Sequence, residues 1–144
     1  MAVVMKLVSR LTVCAAAVAG AVLLPAASAS AADTVPFQID PAPFGNPNGS
    51  FDVPAIRCIA VVGEQPGSVT ITGGKADGWG CILMADVQWL NLSTGASGTA
   101  RLSDGLNGIP AAATVATGPG QVVVVLTSSA GGVVTPGVAT FFVP

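Results

Sequence analysis

The chain of 144 residues contains no histidine, no tyrosine and only two tryptophans. Without histidine, a serine or cysteine nucleophile lacks its usual general base, and a zinc site lacks its imidazole ligand. Glycosidases need a sugar-binding cleft, which tyrosine and tryptophan usually line. These absences point away from the commonest hydrolases and metalloproteins, and we expect no metal and no cofactor.

Positive charge is also scarce, with five bases against seven acids in the whole chain. Beyond residue 31 only Arg57, Lys75 and Arg101 remain to balance all seven acids, which gives that part a net charge of −4. A protein that binds nucleic acid needs a positive stripe or patch. We therefore expect no nucleic-acid partner.

The first 31 residues have the order of a secretory signal peptide. Lys6 and Arg10 precede the apolar run "LTVCAAAVAGAVLL", and Pro25 and small residues follow it. We predict cleavage after Ala31, with cleavage after Ala29 as the alternative. The apolar run is shorter than the roughly 20 residues that span a bilayer, so an uncleaved anchor is disfavoured. The sequence thus predicts a protein that is secreted or held at the cell envelope, with no membrane span after cleavage.

Cysteine is rare, and one of the three cysteines lies within this leader. Removal of the leader takes Cys14 away and leaves Cys58 and Cys81, which are 23 positions apart. A redox motif would hold its cysteines about three positions apart, and a metal site would need further ligands. Two cysteines in an exported chain predict one structural disulfide.

The chain after the leader divides into two segments. Residues 32–50 hold four prolines and predict an extended arm outside the core. Residues 51–144 consist of short apolar or alternating runs separated by Gly, Pro, Asn and Ser, which predicts a single antiparallel β-sandwich of seven or eight strands. The predicted strands lie at 51–53, 56–62, 68–72, 81–92, 98–102, 112–117, 121–127 and 138–143.

Two of these runs carry further predictions. In "VQWLNLSTGASGTARL", Val87 and Trp89 point to one face and Leu90 to the other, and "STGAS" reverses the chain. Trp89 is therefore expected to pack in the core or across the hairpin. The run "VVVVL" shows no alternation, which predicts a central strand covered on both faces. Asn91 opens "NLS", a pattern that matches a glycosylation site by chance in a bacterial-type protein.

The leader, the cysteine pair, "VQWLNLSTGASGTARL" and the closing "GVATFFVP" together resemble small exported proteins of mycolic-acid-bearing actinobacteria. Those proteins are rich in alanine, valine and glycine and of similar size. The resemblance covers about residues 51–144 and implies an exported envelope protein with an immunoglobulin-like β-sandwich. It transfers no functional residue.

Few side chains remain as candidates for chemistry. Asp77, Asp86 and Asp104 could supply the carboxylate pair of a small hydrolase, while solvated turn acids are the simpler interpretation. Lys75 could serve a serine nucleophile only if the fold brought the two together. Trp79, between glycines beside Cys81, either packs on the disulfide or is exposed as a contact residue.

The sequence favours a non-enzymatic exported β-sandwich that acts through surface contacts with a protein or an envelope component. One alternative is a small secreted hydrolase that uses a carboxylate pair. Another is a subunit of an envelope assembly that pairs its proline-rich arm with a neighbour's sheet edge.

Overall fold

A computed structural model describes residues 31–43, 55–74, 80–82, 84–105, 109–128 and 134–144. Within these ranges the regular structure is entirely β, and no helix is long and apolar enough to cross a membrane. The strands are β1 Asp33–Pro36, β2 Ala42–Pro43, β3 Cys58–Val62, β4 Ser68–Gly73, β5 Asp86–Asn91, β6 Ser97–Arg101, β7 Ala113–Ala116, β8 Gly120–Thr127, β9 Val134–Thr135 and β10 Gly137–Val143.

Eight of these strands form two antiparallel sheets of four. The first sheet has the order β1-β3-β4-β7, and the second has the order β10-β8-β5-β6. Two-residue strands β2 and β9 pair with each other outside both sheets. The predicted all-β sandwich is confirmed.

The core lies between the two sheets and consists of small and branched apolar side chains. Along β3, β4, β8 and β10 every second residue is buried, as a sheet with one covered face requires. The fully buried side chains of the strands include Ala60, Val69, Ile71, Val87, Val122, Val124, Leu126, Ala139 and Val143.

The burial of strand β8 differs from the prediction that both of its faces are covered. It occupies an inner position in its sheet, between β10 and β5, as the uninterrupted valine run indicates. However, Val122, Val124 and Leu126 are buried, whereas Val123 and Val125 on the opposite face are only half-buried. The prediction that both faces are covered is wrong, because each sheet of a sandwich has a single partner layer.

Strand β5 begins later than the run 81–92 predicts. Regular pairing starts at Asp86, and Met84 has a φ of 50°, a left-handed conformation that interrupts an extended strand. Cys81 therefore lies in the irregular approach to β5 and does not open the strand.

The described part of the proline-rich segment 32–50 is extended and contacts both sheets. Its residues 33–36 form β1, which pairs with β3 in the first sheet. Phe37 is buried in the core, and Ile39 then forms a β-bridge with Val138 of the second sheet. This part of the arm packs into the sandwich, whereas the sequence predicted it outside the core.

Candidate contact surface

The second sheet presents an apolar surface on its outer side. Since side chains alternate along a strand, the residues between the buried positions of β5, β8 and β10 all face outward. The register places Leu90 opposite Val123 and Val125 opposite Val138. Leu92 lies in the turn directly after β5, beside Gln121 of β8. We call the apolar members of this set, with Leu92, the outer apolar face: Leu90, Leu92, Val123, Val125, Val138 and Phe142.

Three large side chains of the outer apolar face are strongly exposed. Phe142 is 62% exposed, Leu92 57% and Leu90 40%. Two polar side chains also lie within this face, since Gln121 is opposite Phe142 and Thr140 is opposite Val123. They are paired with each other, because Gln121 donates to the hydroxyl of Thr140 at 2.7 Å. Exposed apolar residues that gather on one surface are typical of interaction sites.

Charge at this sheet is confined to one end. Asp86 and Arg101 lie opposite each other on β5 and β6, with 3.6 Å between the carboxylate and the guanidinium nitrogen. The six residues of the outer apolar face include no acid and no base. A partner therefore meets this face without desolvating a charge on it.

The outer side of the first sheet carries hydrogen-bonded threonine side chains. Its β4 and β7 residues Thr70 and Thr114 share a hydrogen bond of 2.9 Å between their hydroxyls, and Thr72 donates to the carbonyl of Ala111. A depression of about 70 Å³ beside Thr70 is lined by Val61, Glu64, Gln65, Ser68, Thr70 and Thr114. Ligand sites usually enclose about 300 to 1,000 Å³, so this depression is too small for one.

The predicted disulfide is present and buried. Cys58 and Cys81 are bonded with their Cα atoms 4.6 Å apart, and they are 1% and 6% exposed. The close approach requires glycine at position 73, because a Cβ there would lie 2.6 Å from the Cα of Gly80. Gly80 itself has a φ of 88°, which favours glycine. The bond fastens the open end of the β3–β4 hairpin to the chain that leads into β5. Its place in the core identifies it as a structural bond.

An ion pair beside the disulfide holds the arm in place. One oxygen of Asp40 lies 3.3 Å from Nη1 of Arg57, and the other accepts the backbone N–H of Cys58 at 2.9 Å. Sequence reasoning did not single out Asp40, because it stands alone between prolines and hydrophobic residues. Its role depends on the path of the arm across β3.

The structure describes two of the three carboxylates proposed for a hydrolase. Asp86 forms the exposed ion pair with Arg101, and Asp104 is exposed in the connection between β6 and β7. Neither residue lines the depression on the first sheet. Among the described residues, no three acids or cysteines cluster as metal ligands. The arrangement shows these two acids as solvated surface groups.

The remaining predicted positions divide into two groups. Trp89 is half-buried against the core and lies opposite Gly98 of β6, where hairpin packing places it. Lys75, Asp77, Trp79 and the leader up to residue 30 lie outside the described residues.

Asn91 is fully buried, and its side chain links the turn after β5 to the connection between β7 and β8. We call this set of hydrogen bonds the clamp. The Nδ2 of Asn91 donates to the carbonyls of Thr117, Gly118 and Pro119 at 2.9, 3.3 and 3.0 Å. Its Oδ1 accepts the backbone N–H groups of Ser93 and Thr94. The amide that a glycosyl group would need is therefore occupied and inaccessible, so the "NLS" pattern has a structural role here.

Comparison with known proteins gives no relative, since no family model, curated protein or solved structure matches the chain. Of the two sheets, the second offers the larger apolar area to a partner.

Proposed function

We propose that this protein is a non-enzymatic exported β-sandwich that binds a component of the cell envelope through the outer apolar face of its second sheet. The observation that carries the proposal is the exposure of Phe142, Leu92 and Leu90 on one uncharged side of the second sheet. Val123 of β8 lies beside Leu90, and Gln121 lies between Phe142 and Leu92. A partner would therefore meet an apolar area that includes the hydrogen-bonded pair Gln121 and Thr140.

The covalent structure supports the export part of the proposal. Disulfides persist in oxidising compartments outside the cytosol, and Cys58 and Cys81 form one. The leader pattern at residues 1–31 agrees with the same route. The threonine hydroxyls of β4 and β7 lie on the outer side of the first sheet, away from the outer apolar face.

The energy available from this face is sufficient for binding. Full burial of one leucine or phenylalanine side chain contributes about 1.5 to 3 kcal/mol. Because these three side chains are already partly covered, their burial would contribute several kcal/mol in total before the entropic cost of association. A moderate affinity is expected.

A binding assay with isolated cell envelopes tests the proposal. The double variant Leu90→Ser, Phe142→Ser removes two exposed apolar groups, and Ile109→Ser, 67% exposed outside the face, is the matched control. We expect the double variant to bind at least about tenfold more weakly, since 1.4 kcal/mol corresponds to a factor of ten. Equal binding of the parent and the double variant would show that another surface is responsible.

A substrate screen tests the non-enzymatic part. The parent and Asp104→Asn are compared on sugar and ester substrates, and no turnover is expected from either. Turnover that disappears in Asp104→Asn would establish the hydrolase alternative.

A further inference from the structure

The two sheets end in four edge strands, and three of them are protected against pairing with another chain. Strand β1 carries Pro36, and proline cannot donate to a further strand. Strand β10 is covered by the arm, since Ile39 exchanges both backbone hydrogen bonds with Val138 and Gln38 accepts the N–H of Thr140. Strand β7 has four residues and lies between Pro110 and Pro119.

Among the residues that the structure describes, nothing protects strand β6 in this way. It runs from Ser97 to Arg101 without a proline, and its only charged side chain is paired with Asp86. Exposed edges of this kind are the sites at which sheets add a strand.

The hydrogen-bond pattern shows which groups of β6 are open. Asn91 donates to the carbonyl of Ala96, and Leu102 donates to the carbonyl of Ala85. Because hydrogen-bonded pairs alternate along an antiparallel ladder, Gly98 and Ala100 face β5, whereas Ser97 and Thr99 direct their backbone groups away from the sheet. In the described chain, these outward backbone groups meet no partner.

We propose that β6 of one molecule pairs antiparallel with β6 of a second copy, around a two-fold axis that passes midway between the two Thr99 residues. In this register Thr99 faces Thr99 of the second copy, and Ser97 faces Arg101 of the second copy. Threonine pairs across strands are favourable, and the other facing side chains are small or uncharged, apart from Arg101. The interface is isologous, as the commonest dimers are.

Charge favours a second copy as the occupant. The two Arg101 side chains would start about 13 Å apart along the strands, which exceeds the Debye length at physiological salt of about 8 Å. Each arginine keeps its own Asp86 beside it. The pairing therefore brings no like charges together, although the chain beyond residue 31 is acidic.

Trp89 supplies a second observation at the same edge. Its ring lies across Gly98, because a Cβ at that glycine would come within 2.8 Å of Cζ2. The indole thus reaches over the edge strand and stays half-buried. In the proposed pair Gly98 faces Ala100 of the second copy, whose methyl group would extend the apolar cover of the ring. Tryptophan is one of the residues enriched at the energetic centres of interfaces.

The pairing would join the second sheets of the two molecules into one sheet of eight strands. A two-fold axis perpendicular to the sheet keeps both outer apolar faces on the same side, so the dimer would offer one surface of twice the area. The proposal does not depend on that surface being functional, and its test measures association alone.

Cysteine cross-linking of the secreted protein tests the register. The two Cα atoms at position 99 would lie about 5.5 Å apart, within the range that a disulfide spans. The two Cα atoms at position 97 would lie about 14 Å apart, outside that range. Ser97→Cys is therefore a matched control for Thr99→Cys, on the same exposed strand and face.

Under mild oxidation we expect at least about tenfold more covalent dimer from Thr99→Cys than from Ser97→Cys, because paired thiols react at a high effective concentration. Equal amounts from the two variants, or more from Ser97→Cys, would overturn the proposal. An unchanged melting temperature shows that each variant is folded.

Light scattering with Thr99→Lys and Thr99→Ala provides the second measurement. Thr99→Lys places two positive charges against each other at the axis, so we expect the dimer to be lost, whereas Thr99→Ala retains it. A parent protein that stays monomeric at every concentration, or a Thr99→Lys variant that dimerises like the parent, would also overturn the proposal.

Discussion

The indole of Trp89 covers Gly98 on the neighbouring strand so closely that a Cβ at position 98 would lie 2.8 Å from Cζ2. Gly98 has no positive φ, so the requirement for glycine comes from the ring and not from the backbone. We expect Gly98→Ala to lower the free energy of unfolding by about 1 to 2 kcal/mol, because the ring must move out of a packed position.

Urea denaturation of Gly98→Ala beside Ser97→Ala measures this effect. Ser97→Ala changes an exposed side chain on the same strand and should stay within about 0.5 kcal/mol of the parent. Equal stability of the two variants would mean that the indole does not restrict position 98.

Replacement of Asn91 should be among the most damaging single changes. Asn91→Ala leaves three carbonyls and two N–H groups without their side-chain partner, so we expect a loss of about 2 to 4 kcal/mol. Asn91→Asp should be no better, because a carboxylate oxygen would then face the three carbonyls. Thermal unfolding of both variants measures this, with Gln88→Ala on the exposed side of the same strand as the control. A loss no larger than that of Gln88→Ala would contradict the clamp.

Removal of the disulfide should affect stability and leave binding intact. For the double variant Cys58→Ala, Cys81→Ala we expect a loss of about 2 to 4 kcal/mol and a melting temperature lower by about 10 °C. Mass mapping without reduction checks first that both thiols are bonded in the purified protein. A variant that melts like the parent but no longer binds envelopes would assign the pair a functional role.

Residues 1–31 are expected to be removed when the protein is exported. We expect the secreted chain to begin at Ala32 and to be recovered in the culture supernatant or bound to the envelope. Intact mass and amino-terminal sequencing measure the start. A chain that retains Met1 and sediments with the cytoplasmic membrane would show that residues 11–24 act as an anchor.

Several strands could be located from sequence because the turn residues separate them clearly. Strands β3, β4, β7, β8 and β10 lie within two residues of the predicted runs at each end. The start of β5 could not be located, because the interruption is a left-handed Met84 and methionine is no turn signal. Phe37 was missed for a related reason, since prolines around it indicate a linker and only tertiary packing places it in the core.

The candidate surface was only partly predictable. The alternation around Leu90 indicates its outward direction, and the structure agrees. The outward direction of Val123 and Val125 cannot be predicted from the sequence, because an unbroken valine run has the same pattern whether one face of the strand is covered or both. The clamp at Asn91 rests on carbonyls 26 to 28 positions away, a distance at which sequence pattern carries no signal.

Methyl NMR during titration with envelope fragments tests the central claim most directly. Strand β8 contains its own control, since Val123 and Val125 face outward while Val122 and Val124 face the core. The account predicts that signals of the outer apolar face broaden first, while Ile59 and Val61 on the outer side of the first sheet keep their positions and widths. Broadening at Ile59 and Val61 without any at Val123 and Val125 would contradict it.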